Sequence, residues 1–458
     1  MGKVAVWPKH RLLFLTVCLL PFSLVPHEVL RSGPSLAPVM FTLAAILAIK
    51  YRPFGGVLGP VDLAVSALAA WMVARLVIIA PLAGEPGNWY FTGREVGSLA
   101  AGAILFRIAR RPDLLRVILL GLGVGLSAMM AIEVYQVTAG IGHLTGLGYV
   151  SDEGFYYYTI GGSYRPFGTF DGPTVFGAYL AMVGVVVLLA TRRWKWLVFV
   201  ALASCLLMTR TRSAWIAFAL ALASVFMLGS SRRRARALVG AFPAAWAATM
   251  VALLRPDLAN SVLDRVQSIG QAGDVSTVTR IALWAGTVDT VSRDHWFFGY
   301  GAQSFTETTL PIIGPTALLG HPHSNYMQEL FRYGLPGLSL FVVLLAAFLV
   351  ELRRSRRDGG PWMLGLAAVV AFAEDSVFNN SLSGFNFLVT LFLLVGLGCA
   401  RPGQGDDLSS GRREVHDEPE SYSKPRLGRS MEQSDSQPIG NLISAVSRPI
   451  HRVSRFLL

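Results

Sequence analysis

Apolar residues run along this chain in long stretches separated by short turns rich in Arg and Lys, until one interval breaks the rhythm. Runs of about 17 to 25 apolar residues predict membrane-crossing helices. Twelve are found, near residues 11–26, 35–49, 59–82, 94–109, 116–138, 173–191, 195–209, 213–229, 238–254, 335–352, 361–378 and 384–400. The fourth is short and Gly-rich. Between Arg255 and Gly334 the pattern stops. That interval is too polar to cross a bilayer and too long to connect neighbouring helices, and long loops inside compact folds are usually functional. It ends in His321, His323, Asn325 and Gln328, so chemistry is expected there.

Composition carries the same message. Hydrophobic residues make up 53% of the chain and charged residues 15%, against about 25% charged in an ordinary soluble domain. Mean hydropathy is +0.50, and a soluble protein is excluded on these grounds. The net charge of +12 and the pI near 9.9 point to nucleic acid only until the cations are placed. With the N-terminus inside, Lys50 and Arg52, then Arg107, Arg110, Arg111 and Arg116, then Arg192, Arg193 and Lys195 fall in cytoplasmic loops. Arg232, Arg233, Arg234 and Arg236 follow, and then Arg353, Arg354, Arg356 and Arg357. Retention of positive charge on the cytoplasmic side explains this bias, and cytoplasmic loops hold twice the Lys and Arg of the outside segments. The expectation is an all-α polytopic protein with both termini cytoplasmic, one large loop over 255–334 outside, and no nucleic-acid partner.

Lys9 and Arg11 precede the apolar run Leu12 to Leu20 as in a signal peptide, but no small-residue cleavage site follows, so this span reads as a retained anchor. Cys18, Cys205 and Cys399 each fall inside a predicted span, and their odd number argues against a disulfide framework or a zinc site. Residues 1–400 are therefore read as one integral membrane domain. The stretch 401–438 is polar and poor in large apolar residues, the composition of a disordered cytoplasmic tail. Over 439–458, Leu442, Ile443, Val446, Ile450, Val453 and Leu457 share one helical face, with Arg448, Arg452 and Arg455 opposite. That pattern fits an amphipathic segment on an anionic inner leaflet, and a merely basic tail, broken at Pro449, is the plainer alternative.

Four outside segments gather polar residues at span ends. One runs from Tyr164 and Arg165 through Asp171 to Pro173, and a second is the turn Thr209, Arg210, Thr211, Arg212, Ser213. A third runs from Arg280 through Trp284 to Phe298, Gly299, Tyr300 and Gly301, and the last is His321, Pro322, His323, Ser324, Asn325, Tyr326, Met327, Gln328. In this order they resemble the O-antigen ligase and O-antigen polymerase superfamily of bacterial membrane glycosyltransferases, over about residues 160–400. The Thr211, Arg212, Ser213 turn resembles the family's Ser/Thr, Arg, Gly turn with Ser213 in place of Gly, and His323 takes the position of its histidine.

The resemblance implies a GT-C-like fold in the bacterial inner membrane. It also implies transfer of a glycan from a polyprenyl-pyrophosphate carrier to a hydroxyl on the periplasmic side. The acceptor would be lipid A core or another lipid-linked glycan, with membrane lipids and other polysaccharide assembly proteins as partners. The leaving group develops charge on a pyrophosphate, which arginine grips bidentately without losing its own proton. Arg212 and Arg280 are the candidates for that role, with Arg165 and Arg210 beside them. A snorkelling interfacial Arg is the plainer account of Arg212. For Arg280 the plainer account is the start of an amphipathic helix resting Ile281, Trp284, Val288 and Val291 on the membrane; a helix N-terminus also favours phosphate, so both can hold.

A histidine suits removal of the acceptor's proton, and His323 holds the family position. His321, Asn325 and Gln328 surround it as substrate-binding candidates. Direct attack would invert the anomeric centre. A covalent route would need a carboxylate, for which Glu374 and Asp375 are the close pair. Asp152, Glu153 and Asp171 lack ligand spacing, so chemistry without a metal or other cofactor is expected. Arg75 lies inside the third span, where a charge is functional by default or paired with a carboxylate such as Glu133. A transporter or flippase of lipid-linked oligosaccharide is the alternative. No repeat relates the two halves, and the polar residues gather outside instead of at mid-membrane.

Overall fold

The computed structural model describes residues 7–22, 36–53, 58–82, 84, 89–146, 159–160, 163–170, 172–191, 194–229, 275–314, 320–380 and 385–400. These fall within residues 1–409, which form one compact unit. The predicted span 238–254, residues 255–274 of the long loop, Asp152, Glu153, Asp171, and the segments 401–438 and 439–458 lie outside the described residues.

Helices dominate. In chain order they are α1 (Trp7–Leu19), α2 (Leu36–Tyr51), α3 (Pro60–Leu82), α4 (Trp89–Ala109), α5 (Leu115–Gly146), α6 (Pro173–Ala190), α7 (Lys195–Thr209) and α8 (Arg212–Leu228). After the undescribed stretch come α9 (Val275–Asp294), α10 (Phe305–Ile313), α11 (Asn325–Arg357), α12 (Trp362–Phe378) and α13 (Phe385–Gly398). The all-α expectation needs one small amendment, a two-stranded antiparallel hairpin of β1 (Thr159–Ile160) and β2 (Ser163–Tyr164).

Four stretches, Pro60–Leu82, Pro112–Gly140, Pro173–Ala190 and Asn325–Arg357, are long and apolar enough to cross a membrane, and α7, α8 and most of α2 and α13 are shorter apolar helices. Eleven of the predicted spans coincide with helices among the described residues. The short fourth span is embedded in the longer α4, which begins at Trp89.

Helices α6 and α13 occupy the middle. Phe176 through Val186 of α6 and Phe387 through Leu397 of α13 are buried almost without interruption, and a helix apolar all round belongs inside a bundle. Helix α13 packs along α4, α12 packs against α8, α6 and α13, α11 runs beside α3, and α1 beside α5. In lipid such association draws on close packing more than on release of water. Gly396 shows how: a Cβ there would overlap the Phe106 carbonyl, so only glycine lets α13 approach α4 this closely.

Towards the cytoplasmic side of the charge-derived topology, Arg107 of α4 meets Asp62 of α3 at 2.8 Å. Glu351 of α11 is approached by Arg354 at 3.1 Å and Arg110 at 3.6 Å. At the opposite end lies the long loop. Leu283 and Val291 of α9 close a small core with Phe305 of α10 and Phe331 of α11. Val291 therefore packs inside the loop, which corrects its expected place on a membrane face: it lies one helical face round from the exposed Val278, Ile281 and Val288.

Candidate functional site

The turn between α7 and α8 is only two residues long, and its tightness follows from one strained position. Arg210 adopts left-handed backbone angles, φ 51° and ψ 30°, at the end of α7. Glycine usually fills that place, and another residue there costs about 1–3 kcal/mol. Thr211 then takes the extended position just before α8, its hydroxyl donating to the Pro173 carbonyl at 3.2 Å, and Arg212 is the first helical residue. Beneath the turn lies buried Arg165, whose Nε donates to the Thr209 carbonyl at 2.9 Å and whose Nη2 donates to Thr211 Oγ1 at 3.0 Å. The segment just after Arg165 is steadied in turn by Gln136 of α5. The Gln136 Oε1 accepts from the Phe167 and Gly168 amides at 3.0 and 2.9 Å, and its Nε2 donates to the Gly168 carbonyl at 2.7 Å.

His323 is the second strained position, with φ 50°. Its amide donates to His321 Nδ1 at 3.3 Å, and the two rings lie 4.0 Å apart. His321 Nδ1 is thus an acceptor, which puts its neutral-form proton on Nε2. Ser324 caps α11, its hydroxyl accepting from the Met327 amide at 3.5 Å and donating to the Ser376 carbonyl at 3.1 Å. Asn325 Nδ2 donates to Ser376 Oγ at 2.9 Å, and Tyr326 donates to the Ala373 carbonyl at 3.2 Å. From the other side, Trp284 of α9 donates to the Pro322 carbonyl at 3.1 Å.

The last turns of α12 join these parts. Asn379, just past its end, donates to Ser213 Oγ at 3.0 Å and closely to Asp375. Ser376 and Ala373 hold the His323 segment, as given above. Phe378 carries the Arg280 guanidinium over its ring at 5.8 Å and packs against Trp284 at 6.1 Å. Glu374 lies within electrostatic reach of Arg280 and Asp375. The Arg212 turn, the Arg280 helix and the His323 segment therefore converge on one helix end. Positive charge gathers there: burial first, then the potential of His321 and Arg280, pushes the His323 imidazole down to about 3. Burial also lowers His321, with Arg332 adding to the effect.

Residues 197–342 match the family model described as O-antigen ligase. The match runs from α7 into α11 and contains Arg210, Arg212, Arg280, His321 and His323, so the matched region takes in three of the four polar segments. It supports the O-antigen ligase and polymerase superfamily and a membrane protein with a glycosyl-transfer role in polysaccharide assembly. No curated protein matches the chain.

The remaining candidates take other positions. Asn325 and Gln328 are buried. The first is tied to Ser376; in the amide orientation that satisfies both groups, the second accepts from Arg332 Nη2 at 3.0 Å. Arg75 donates to the carbonyls of Phe298 and Gly299 at 2.8 and 3.0 Å. The pairing with Glu133 is not formed: Glu133 lies beside Cys205 instead. Among the described residues no group of three or more His, Cys, Asp or Glu side chains converges on a metal position. Ser376, Asn379, Gln136 and Phe378 escaped the sequence reading, since single polar or aromatic residues in apolar runs leave no spacing signature. The one available signal was Ser213 standing where the resemblance has Gly.

Proposed function

We propose that this chain is a metal-independent, inverting membrane glycosyltransferase of the O-antigen ligase type. It moves a glycan from a polyprenyl-pyrophosphate carrier to a hydroxyl of lipid A core or of a second lipid-linked glycan. The observation that carries the reading is the convergence of the Arg212 turn, Arg280 and the His323 segment on the end of α12, with all three inside the segment that matches the family. The surrounding frame is a GT-C-like domain over 1–400 with twelve spans in a bacterial inner membrane. Both termini are cytoplasmic, the 255–334 loop is periplasmic, and the tail divides into 401–438 and 439–458.

The chemistry follows from the residues. The acceptor oxygen attacks the anomeric carbon, the bond from that carbon to the pyrophosphate oxygen breaks, and the electron pair leaves with the pyrophosphate. Arg212 and Arg280 stabilise the charge that develops there, as preorganised cations do at a leaving phosphate, with Arg210 alongside. Arg165 serves the donor indirectly by holding the Arg212 turn. His323 takes the acceptor's proton. Burial and the neighbouring cations keep its imidazole neutral, ready to accept a hydrogen bond, and the negative charge of the donor pyrophosphate would offset the cationic part of that field and raise its basicity when the proton must move. Glu374 and Asp375 flank the cluster and offer hydrogen bonds to sugar hydroxyls.

The test is a transfer assay with purified protein, a polyprenyl-pyrophosphate glycan and either acceptor, read by product length. Arg212→Ala and His323→Ala should each lower product formation by about 100-fold or more while leaving the melting temperature unchanged, and chelator should leave the wild-type rate unchanged. Full activity in both variants would refute the site assignment, and a chelator loss restored by magnesium or manganese would refute the metal-free chemistry.

A further inference from the structure

The turn that follows α9 carries three consecutive large aromatic residues on the outside of the protein. Trp296, Phe297 and Phe298 are 55%, 40% and 43% exposed. Their backbone is tied down. Tyr300 and Gly301 donate to the Phe331 and Arg332 carbonyls at 2.7 and 2.9 Å, and Leu335 donates to the Trp296 carbonyl at 2.8 Å. Gly299 and Gly334 both have positive φ, and a Cβ on either would collide with the other strand's backbone. Arg75, from the π-helical turn of α3, reaches the carbonyls of Phe298 and Gly299 from beneath. Trp71 stacks on Phe298 at 6.0 Å and donates to the Tyr333 carbonyl at 2.9 Å. The aromatic side chains therefore face outward from a pinned frame.

Their neighbours identify what covers them. The turn is bonded to α3 and to the start of α11's apolar half, two helices long and apolar enough to cross a membrane. Both show apolar side chains outward, Val73, Val77 and Ile78 on α3 and Leu335, Val342 and Val343 on α11. The aromatic turn thus continues the lipid-facing surface of two spans at the end where a bilayer's interfacial zone, the preferred place of Trp and its relatives, would lie.

We propose that Trp296, Phe297 and Phe298 insert into the outer leaflet as a lipid anchor for the long loop, with Arg75 as the buried clamp that holds the anchor's backbone. A charge inside a span is costly, and this gives Arg75 its use. Resting on the function proposed above, a consequence follows: because α9 leads directly into the turn, the anchor fixes the height of Arg280 relative to the lipid phosphates.

The test places a label at the turn. In protein with Cys18, Cys205 and Cys399 replaced by Ala, Trp296→Cys is labelled with a fluorophore in liposomes; Arg293→Cys, at a 60% exposed side chain on the last turn of α9, is the control. The label at 296 should be quenched by lipids carrying a doxyl group near the carbonyl end of the acyl chain and shielded from aqueous iodide, and the label at 293 should behave in the opposite way. Absence of lipid quenching at 296 would overturn the anchor, whether iodide quenches the label because water covers the turn or neither quencher reaches it because protein does. In a second arm, W296S/F297S/F298S should raise the KM for the lipid-linked donor several-fold. An unchanged KM alongside an inserted label would overturn the height-setting role alone, and the depth result stands or falls independently of whether the protein transfers glycan.

Discussion

Arg165 lies buried beneath the turn between α7 and α8 with its guanidinium committed to Thr209 and Thr211, whereas Arg280 rests across the face of Phe378 on a loop that has only a small core of its own. The first region is built into the bundle, with Gln136 and the strained Arg210 fixing one backbone path. The second is fastened to the bundle by separate contacts, to Ser376, Ala373 and Phe378 on one side and to Arg75 on the other. In the proposed function this difference divides the work: the rigid turn would hold one cation at a fixed point, and the separately fastened loop would bring the second cation and the base to a donor and acceptor of variable size. Segments that adjust on binding are drawn from the less firmly held parts of a fold.

The largest expected effect comes from removing charge on either side of this divide. Arg212→Ala and Arg280→Ala should each lower kcat by about 100- to 1,000-fold, the scale for losing one preorganised stabilising group. Arg280→Lys should recover more activity than Arg212→Lys, since an adaptable loop tolerates a different reach. Equal recovery in a transfer assay would break the contrast. His323→Ala should cost about 100- to 10,000-fold, the range for a general base, with the melting temperature unchanged.

A structural perturbation separates the regions next. Arg165→Met leaves the Thr209 carbonyl without a buried donor and should destabilise the protein by about 1–3 kcal/mol, seen as a lower melting temperature. Ser376→Ala removes a single side-chain bond to Asn325 and should cost about 1 kcal/mol or less, while raising the KM for the acceptor more than it changes kcat. If Ser376→Ala destabilised the protein as much as Arg165→Met, the loop would be as firmly built as the turn.

Protonation probes the loop side of the contrast by itself. The folded values of His321 and His323 lie below the ordinary histidine value, so the unfolded chain binds more protons in acid. Stability is complete above about pH 6.5 and declines as pH falls from there towards 3. His323→Gln should remove about 1–2 kcal/mol of the stability loss between pH 7 and pH 5, measured by thermal unfolding at both values.

Much of the helical frame was legible in the chain because apolar runs such as 173–191 and 195–209 end at the same polar punctuation that ends α6 and α7. Where a helix continues through charged residues, as α11 does to Arg357 and α4 does from Trp89, hydropathy saw only the apolar part. Gly334 hid another feature: it reads as a turn into the tenth span, yet the helix resumes across it with a kink. The Arg212, Arg280 and His323 segments were found by their order along the chain. Their meeting place was not, because it depends on Asn379, Ser376 and Phe378, which carry no periodic mark. Arg75 was flagged as a buried charge, but its partners are backbone carbonyls more than two hundred residues away, and no side-chain pattern announces a carbonyl.

In the proposed division of roles, Arg212 and Arg280 act on one pyrophosphate while His323 acts on the acceptor. That division is tested most directly by donor binding to purified protein in nanodiscs, measured without acceptor. Arg212→Ala and Arg280→Ala should each weaken donor binding, the double variant should lose less than the sum of the two, and His323→Ala should bind donor as the wild type does. Additive losses in the double variant, or a His323→Ala defect as large as that of either arginine, would contradict the account.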